Sequence, residues 1–239
     1  NKLDSAVFSL QKAMMSDPAN VNNTALLLNL GVLQRQLKLY DDAYISFTAS
    51  LSGSGDSLSA LHNRASLLCD LGRFDEAMED YNTILQLNPN DVEVYYRRGL
   101  LHLEKGNRDK AEADFTAAEQ IDSNHLYTKL SKALKYKLED NWTEAEKIYT
   151  QIITSTPDFN SVYFLNRAEC YLNTNHISKA TADILAIERD ERENPYFYIL
   201  RGRLRLKQYD KFAAKADFIK AKDLGYDSQI ANEWIKKAE

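Results

Sequence analysis

The sequence is short of everything that interrupts a helix. Four prolines and eight glycines in 239 residues are too few for a turn-rich chain, so long helices joined by short turns are expected. Two cysteines and four histidines cannot build a disulfide framework, and their scatter argues against a metal or catalytic cluster. The expected cofactor, metal and catalytic inventory is none, and the chain does not read as an enzyme. No apolar run approaches the ~18 residues of a membrane span, so direct membrane insertion is not expected. Cationic excess is missing too. A net charge of −5 argues against nucleic acid and acidic membrane surfaces, because phosphate contacts demand a positive face.

What is present is apolar material and length. With 44% hydrophobic and 27% charged residues the chain can pack a core. Its length exceeds what one core usually needs, which leaves two domains or an elongated repeat. The start is not signal-peptide-like, and Asn1 already lies inside a helical pattern. The sequence therefore reads as a piece of a longer chain or a processed product.

Comparing the sequence with itself decides between the two architectures. Ala43, Ala77, Ala111, Ala145, Ala180 and Ala214 recur at spacings of 34, 34, 34, 35 and 34 residues. Twelve residues before each stands Gly31, Ala65, Gly99, Ala133, Ala168 or Gly202, and four after stands Phe47, Tyr81, Phe115, Tyr149, Ile184 or Phe218. Copies beginning at Thr24, Leu58, Val92, Leu126, Ser161 and Pro195 place these residues at repeat positions 8, 20 and 24. Two helices approach closely only where side chains are small, and the large residue at 24 fills the space beside them.

Start and stop signals divide each copy in two. Asp91, Asn124, Asn160 and Asn194 read as N-caps of first helices, and Pro195 takes a tolerated first helical site. Gly72, Gly106, Asp140 and Asn175 stand where the first helix must turn, and each tolerates a left-handed backbone. At position 18, Asp41, Asp75, Asp109, Thr143 and Ser178 read as N-caps of second helices, with Thr143 and Glu146 as a capping box. Phe212 replaces them in copy six, so that turn is expected to form around Asp210. Four copies pair Arg at position 7 with Asp at 23: Arg64 with Asp80, Arg98 with Asp114, Arg167 with Asp183, Arg201 with Asp217. Copy one has Leu30 and Ser46, and copy four Lys132 and Ile148. The acid follows the arginine, which predicts four structural bridges.

These columns resemble the tetratricopeptide repeat family, whose pattern has a bulky residue at 4, Leu-Gly at 7–8, an aromatic at 11, Ala at 20, Phe at 24 and Pro at 32. Pro89 and Pro157 match the last position. The resemblance covers residues 24 to about 228 and implies an all-α, right-handed superhelical solenoid of antiparallel helix pairs. On that reading residues 1–239 form one solenoid. Residues 1–23 are a half repeat carried by Ala6, Leu10, Ala13 and Pro18. Full repeats follow at 24–57, 58–91, 92–125, 126–160, 161–194 and 195–228. Residues 229–239, with Asp227 as cap and Ile230, Trp234 and Ile235 on one side, form a capping helix of the kind that repeat arrays need. Ser52-Gly53-Ser54-Gly55 replaces the end of a second helix and predicts a loose joint after copy one.

The resemblance implies protein or peptide partners. At about 100° per residue, positions 4, 7, 8 and 11 of the first helix face one way and positions 2, 5, 6, 9, 12 and 13 the other. The second stripe is the family's concave groove. Here it holds Leu28, Val32, Tyr96, Leu100, Leu103, Tyr127, Leu130, Leu134, Val162, Leu165, Tyr196 and Ile199, which reads either as an apolar peptide groove or as packing between copies. Asn29, Asn63 and Asn166 recur at position 6, and an amide can both donate to and accept from a peptide backbone. The expected groove is therefore Asn29, Asn63 and Asn166 for backbone, Tyr96, Tyr127, Leu130 and Tyr196 for apolar side chains, and Arg97 or Arg203 for an acidic one. Glu169 stands one copy before Arg203 and can neutralise it. The family's two-carboxylate clamp is matched only at Asn63 and Arg97, and Glu93 has the wrong sign for it.

The bland readings of the remaining residues are packing ones. His62, Ser66 and Cys69 share a helical face with no acid partner at a persuasive spacing. His102 falls at core position 11 and Trp142 at a turn. Cys69 and Cys170, three copies apart, are not expected to pair, and unpaired thiols favour a reducing compartment such as the cytoplasm. A periplasmic or envelope location is the alternative. A monomer is expected, with the half repeat as the likelier association surface. A protein-binding scaffold or adaptor is the first functional reading. An architectural or oligomerisation segment of a larger enzyme or signalling protein is the second.

Overall fold

A computed structural model describes residues 2–17, 20, 22–53 and 57–239. Pro18, and Ser54 and Gly55 of the expected joint, lie outside the described residues. Among those described there are fourteen helices and no strand, and the chain divides into two compact units, Asn1–Asp122 and Ser123–Glu239.

The first unit holds α1 (Lys2–Ser16), α2 (Asn23–Gln36), α3 (Tyr40–Gly53), α4 (Leu58–Asp70), α5 (Phe74–Leu87), α6 (Val92–Glu104) and α7 (Arg108–Ile121). Within it α2 packs on α3, α4 on α5 and α6 on α7. The second holds α8 (Leu126–Leu138), α9 (Trp142–Ser155), α10 (Ser161–Asn173), α11 (Ile177–Ile187), α12 (Pro195–Lys207), α13 (Lys211–Asp223) and α14 (Ser228–Lys237). Its pairs are α8 with α9, α10 with α11 and α12 with α13, and α14 covers α13.

The small–large columns set the spacing of each pair. All six alanines at position 20 are fully buried, and Phe47, Tyr81, Phe115, Tyr149, Ile184 and Phe218 are buried beside them. A Cβ added to Gly31, Gly99 or Gly202 would stand 2.6, 2.3 or 2.5 Å from the ring of Phe47, Phe115 or Phe218. Where position 8 is alanine, position 24 is tyrosine or isoleucine instead of phenylalanine. The missing methyl is thus the seat of the ring.

Each first helix ends in the same left-handed turn. Position 15 has positive φ in every copy: Lys38 (61°), Gly72 (70°), Gly106 (73°), Asp140 (56°), Asn175 (61°) and Tyr209 (64°). The next backbone N–H reaches back to the carbonyl of Gln34, Leu68, His102, Tyr136, Tyr171 or Arg205, satisfying an otherwise orphaned acceptor. Lys38 and Tyr209 are not turn formers by type, so the geometry there is imposed by the packed pair.

The caps differ in part from expectation. Asp91, Asn160 and Asn194 accept from Val94, Val162 and Tyr196 as expected, but α8 is capped by His125, not Asn124. Position 18 does not cap. Second helices start at position 17, two residues earlier than such caps require, so Asp41, Asp75, Asp109, Thr143 and Ser178 lie inside the first turn. Thr143 therefore forms no capping box; Asn141 caps α9. The three aspartates instead oppose the positive end of the helix macrodipole. Asp210 caps α13 and Asp227 caps α14.

The described part of the Ser52-Gly53-Ser54-Gly55 stretch is helical and packs within copy one. Ser52 and Gly53 complete α3, and a Cβ at Gly53 would meet Thr24 at 2.2 Å.

All four Arg–Asp bridges form, each bidentate. Arg64, Arg98, Arg167 and Arg201 donate through Nε and Nη2 to both oxygens of Asp80, Asp114, Asp183 and Asp217. In copy one Ser46 donates to Gln34 at 2.6 Å instead.

Candidate functional site

In the first unit the 2/5/6/9 stripe bounds an open cleft of about 360 Å³ lined by Arg35, Ser59, His62, Asn63, Ser66, Glu93 and Arg97. Its walls are polar and largely paired. Arg35 donates to Asp70 at 2.5 Å and to Ser66 at 2.9 Å, joining α2 to α4. Arg97 donates to Glu93 at 2.6 Å. Asn63 donates to the Ser59 carbonyl at 2.8 Å, which leaves its amide oxygen to accept from a ligand. Asn29 is exposed. Tyr96 is half-buried and tilts against Phe115 at 6.4 Å.

His62 does have an acid partner. Asp91, 29 residues on, stands 3.0 Å from its Nε2. Burial pushes the Asp91 carboxyl up, but hydrogen bonds from His62, Val94 and Asn88 outweigh it and hold the group below its ordinary value. The three residues of that helical face serve separate contacts: Ser66 accepts from Arg35, and the Cys69 thiol lies 3.7 Å from the Tyr81 hydroxyl. His102 is packed in as expected, 3.9 Å from Asp114, and burial lowers its pKa.

The second unit builds its stripe around Glu169. This carboxylate is 9% exposed, with Lys137 at 2.5 Å from α8 and Arg203 at 4.0 Å from α12. Lys137 also donates to Asn166 at 2.8 Å, and Arg203 to Asn173 at 2.9 Å. The Arg203 guanidinium lies over Trp234. Tyr196 stacks on Tyr226 at 6.3 Å, and burial with the nearby Glu169 charge pushes its phenol far above the ordinary range. Asn166 donates to the Val162 carbonyl. Tyr127 is half-buried and stacks on His125.

Position 5 is where the wheel misleads. Leu130, Leu165 and Ile199 are buried, because first helices touch one another across copies, as α10 does α12. Such residues form the floor of the face. Val162 and Leu100 are 50% and 37% exposed and lie on its surface. Arg97 and Arg203 are both already engaged by a carboxylate, which lowers what either offers to an acidic side chain.

Of the ties between copies, the sequence shows Glu169 with Arg203, which the structure bears out, but not the others. Position 12 pairs with 13 or 9 of the next copy, as Arg35 with Asp70 and Lys137 with Glu169. The signal existed, but only when one copy is read against its neighbour.

Among the described residues no group of three His, Cys, Asp or Glu could hold a metal ion, and no helix is long and apolar enough to cross a membrane. Family models described as TPR repeat and tetratricopeptide repeat match residues 65–106 and 92–125. A crystal structure of a tetratricopeptide repeat protein from Parabacteroides merdae is 36% identical over 99% of this chain and 92% of its own, with TM-score 0.73. The Cut9–Hcn1 hetero-tetramer of APC/C matches 99% of this chain and 46% of its own at 12% identity and TM-score 0.82. PilW, a type IV pilus biogenesis factor, matches 88% of this chain and 97% of its own at 17% identity and TM-score 0.64. The latter two share the fold alone. No curated protein matches the sequence.

Proposed function

The chain belongs to the tetratricopeptide repeat family, whose general role is that of a protein-interaction scaffold, and from that premise we propose that it holds extended segments of a partner protein against the first-helix stripe of each unit. The observation that carries this reading is the amide column. Asn63 and Asn166 spend an N–H on their own helix, to Ser59 and Val162. Asn63 thereby presents a carbonyl oxygen beside an open cleft, and Asn29 stands at the equivalent place, exposed. A peptide backbone supplies the donors that such oxygens take.

Affinity comes mainly from the aromatics. A hydrogen bond to a backbone is worth only about 0.5–1.5 kcal/mol, whereas an aromatic anchor at an interface centre is worth ~2 kcal/mol or more. Tyr96 in the first unit, and Tyr127 and Tyr196 in the second, are the anchors. Leu130 supplies the floor beneath them, and Arg97 and Arg203 steer an acidic neighbour while keeping their own carboxylates.

The test uses peptides selected from a displayed library against the intact chain. Tyr96→Ala with Tyr127→Ala removes binding with helical content unchanged, and Asn63→Ala only weakens it. A photo-reactive residue at position 63 crosslinks the peptide, and one at Lys147, on a second helix, does not. Full binding by a folded double-tyrosine variant places the contact elsewhere and ends this reading.

A further inference from the structure

Copies one and six depart from the chain's repeat pattern in opposite ways, one making a hollow and the other a protrusion. In copies two, three, five and six the Arg–Asp bridge fills the space between the paired helices on the face opposite the 2/5/6/9 stripe. Copy one has Leu30 and Ser46 there. It also has Ile45 at position 22, 62% exposed, where the other copies carry Glu79, Ala113, Lys147, Ala182 and Ala216. With Met14 and Met15 of α1 these residues bound an open, mainly apolar cleft of about 610 Å³, within the ~300–1,000 Å³ of pockets that take small ligands. Asp42 is the one charged residue in its lining.

Copy six departs the other way. Tyr209 occupies the left-handed position 15 and is 93% exposed; Phe212 occupies position 18 and is 89% exposed. Elsewhere position 18 holds an aspartate or a hydroxyl residue. Folding gains nothing from either aromatic. A bulky side chain at positive φ is strained, and an acid in the first helical turn would favour the dipole. Lys207 and Lys211 flank the pair, with Lys207 donating to a neutral amide, Asn175. Residues 195–223 carry eight basic and three acidic residues in a chain of net charge −5. That stretch is therefore +5, and the remainder −10.

We propose that copies of this chain associate head to tail, the Tyr209–Phe212 tip of one seated in the cleft formed by Met14, Met15, Leu30 and Ile45 of the next. Asp42 on the rim receives Lys207 or Lys211. A protruding aromatic pair loses its contact with water only inside a concavity. Three other clefts among the described residues suit it less, being walled by charged groups: Arg35, Glu93 and Arg97 in one, Glu188, Arg189 and Arg192 in another, and Arg35, Lys38 and Asp70 in a third. Such a contact uses different patches on the two partners, so it propagates into an open row or a closed ring. It involves neither amide column nor groove tyrosines, and it stands or falls apart from the peptide-binding reading.

Sedimentation velocity on the full chain tests it. The wild type forms larger species as concentration rises, and high salt shifts them back toward monomer. Tyr209→Ser with Phe212→Ser, and separately Ile45→Glu, each weaken association at least tenfold while circular dichroism stays unchanged. Should Ile45→Glu loosen α1, Met15→Lys at an 81% exposed position carries the same test. An equimolar mixture of tip and cleft variants gives a dimer and nothing larger, because one intact tip meets one intact cleft. A wild type that stays monomeric at every concentration, variants that associate like it, or a mixture that stays monomeric would each overturn the proposal.

Discussion

Arg98 and Asp114 meet side-on, Nε to Oδ2 at 2.9 Å and Nη2 to Oδ1 at 2.6 Å, with the carboxylate almost wholly buried between α6 and α7. The guanidinium does not enter the groove, although a column of arginines at one repeat position resembles a ligand site. Removing one partner leaves the other charge stranded. Arg98→Ala is expected to destabilise the first unit by about 2 kcal/mol, below the ~3–5 kcal/mol of a fully buried pair because Arg98 retains some solvent contact. Arg98→Met with Asp114→Leu recovers most of the loss. Urea melts of the two variants check both statements.

Gly99 is as small as it is because Phe115 occupies the place of its side chain. Gly99→Ala is expected to cost about 1–3 kcal/mol by overpacking. Adding Phe115→Ile, which reproduces the Ala168–Ile184 pair of copy five, restores stability above the single variant. Thermal melts of the single and double variants decide it.

Tyr209→Gly should stabilise the chain by up to ~1 kcal/mol, since glycine removes the left-handed strain and gives back part of it in chain entropy. The same substitution deletes half of the proposed tip. Melting temperature and self-association are thus expected to move in opposite directions, which no purely structural role for Tyr209 produces.

Burial pushes the Cys170 thiol up to about 12 and raises Cys69 as well. A thiol whose folded pKa is raised contributes no pH dependence below its unfolded value near ~8.5. As pH climbs from there toward the folded value the unfolded chain loses the proton first, and stability falls. At mildly alkaline pH, maleimide is expected to label Cys69 slowly and Cys170 only as fast as the second unit opens. Peptide mapping after timed labelling reads both rates.

The fold was legible because packing repeats. Ala43, Ala77 and their successors, the Gly–Phe pairs and the Arg–Asp pairs all lie within one copy and recur, so each column checks the others. What was not legible lies at boundaries and between copies. Asp41, Asp75 and Asp109 stand two residues past the cap, since an acid favours the first helical turn as well as the cap itself. Leu130, Leu165 and Ile199 fall on the outward side of an isolated helix wheel, yet a neighbouring first helix covers them. The apolar residues of the 2/5/6/9 stripe read either as a peptide groove or as packing between copies, and Arg35, Asp70, Glu93 and Arg97 make the first-unit part of that face polar.

Glu169 has a mechanical consequence. One carboxylate takes Lys137 from α8 on one side and faces Arg203 from α12 on the other, so three first helices in succession share a single clasp. In the first unit the Arg35–Asp70 pair spans only two, and Asp70 is half open to water. Losing the Glu169 charge is therefore expected to loosen α8, α10 and α12 together, because Lys137 and Arg203 would lose the acceptor that they share.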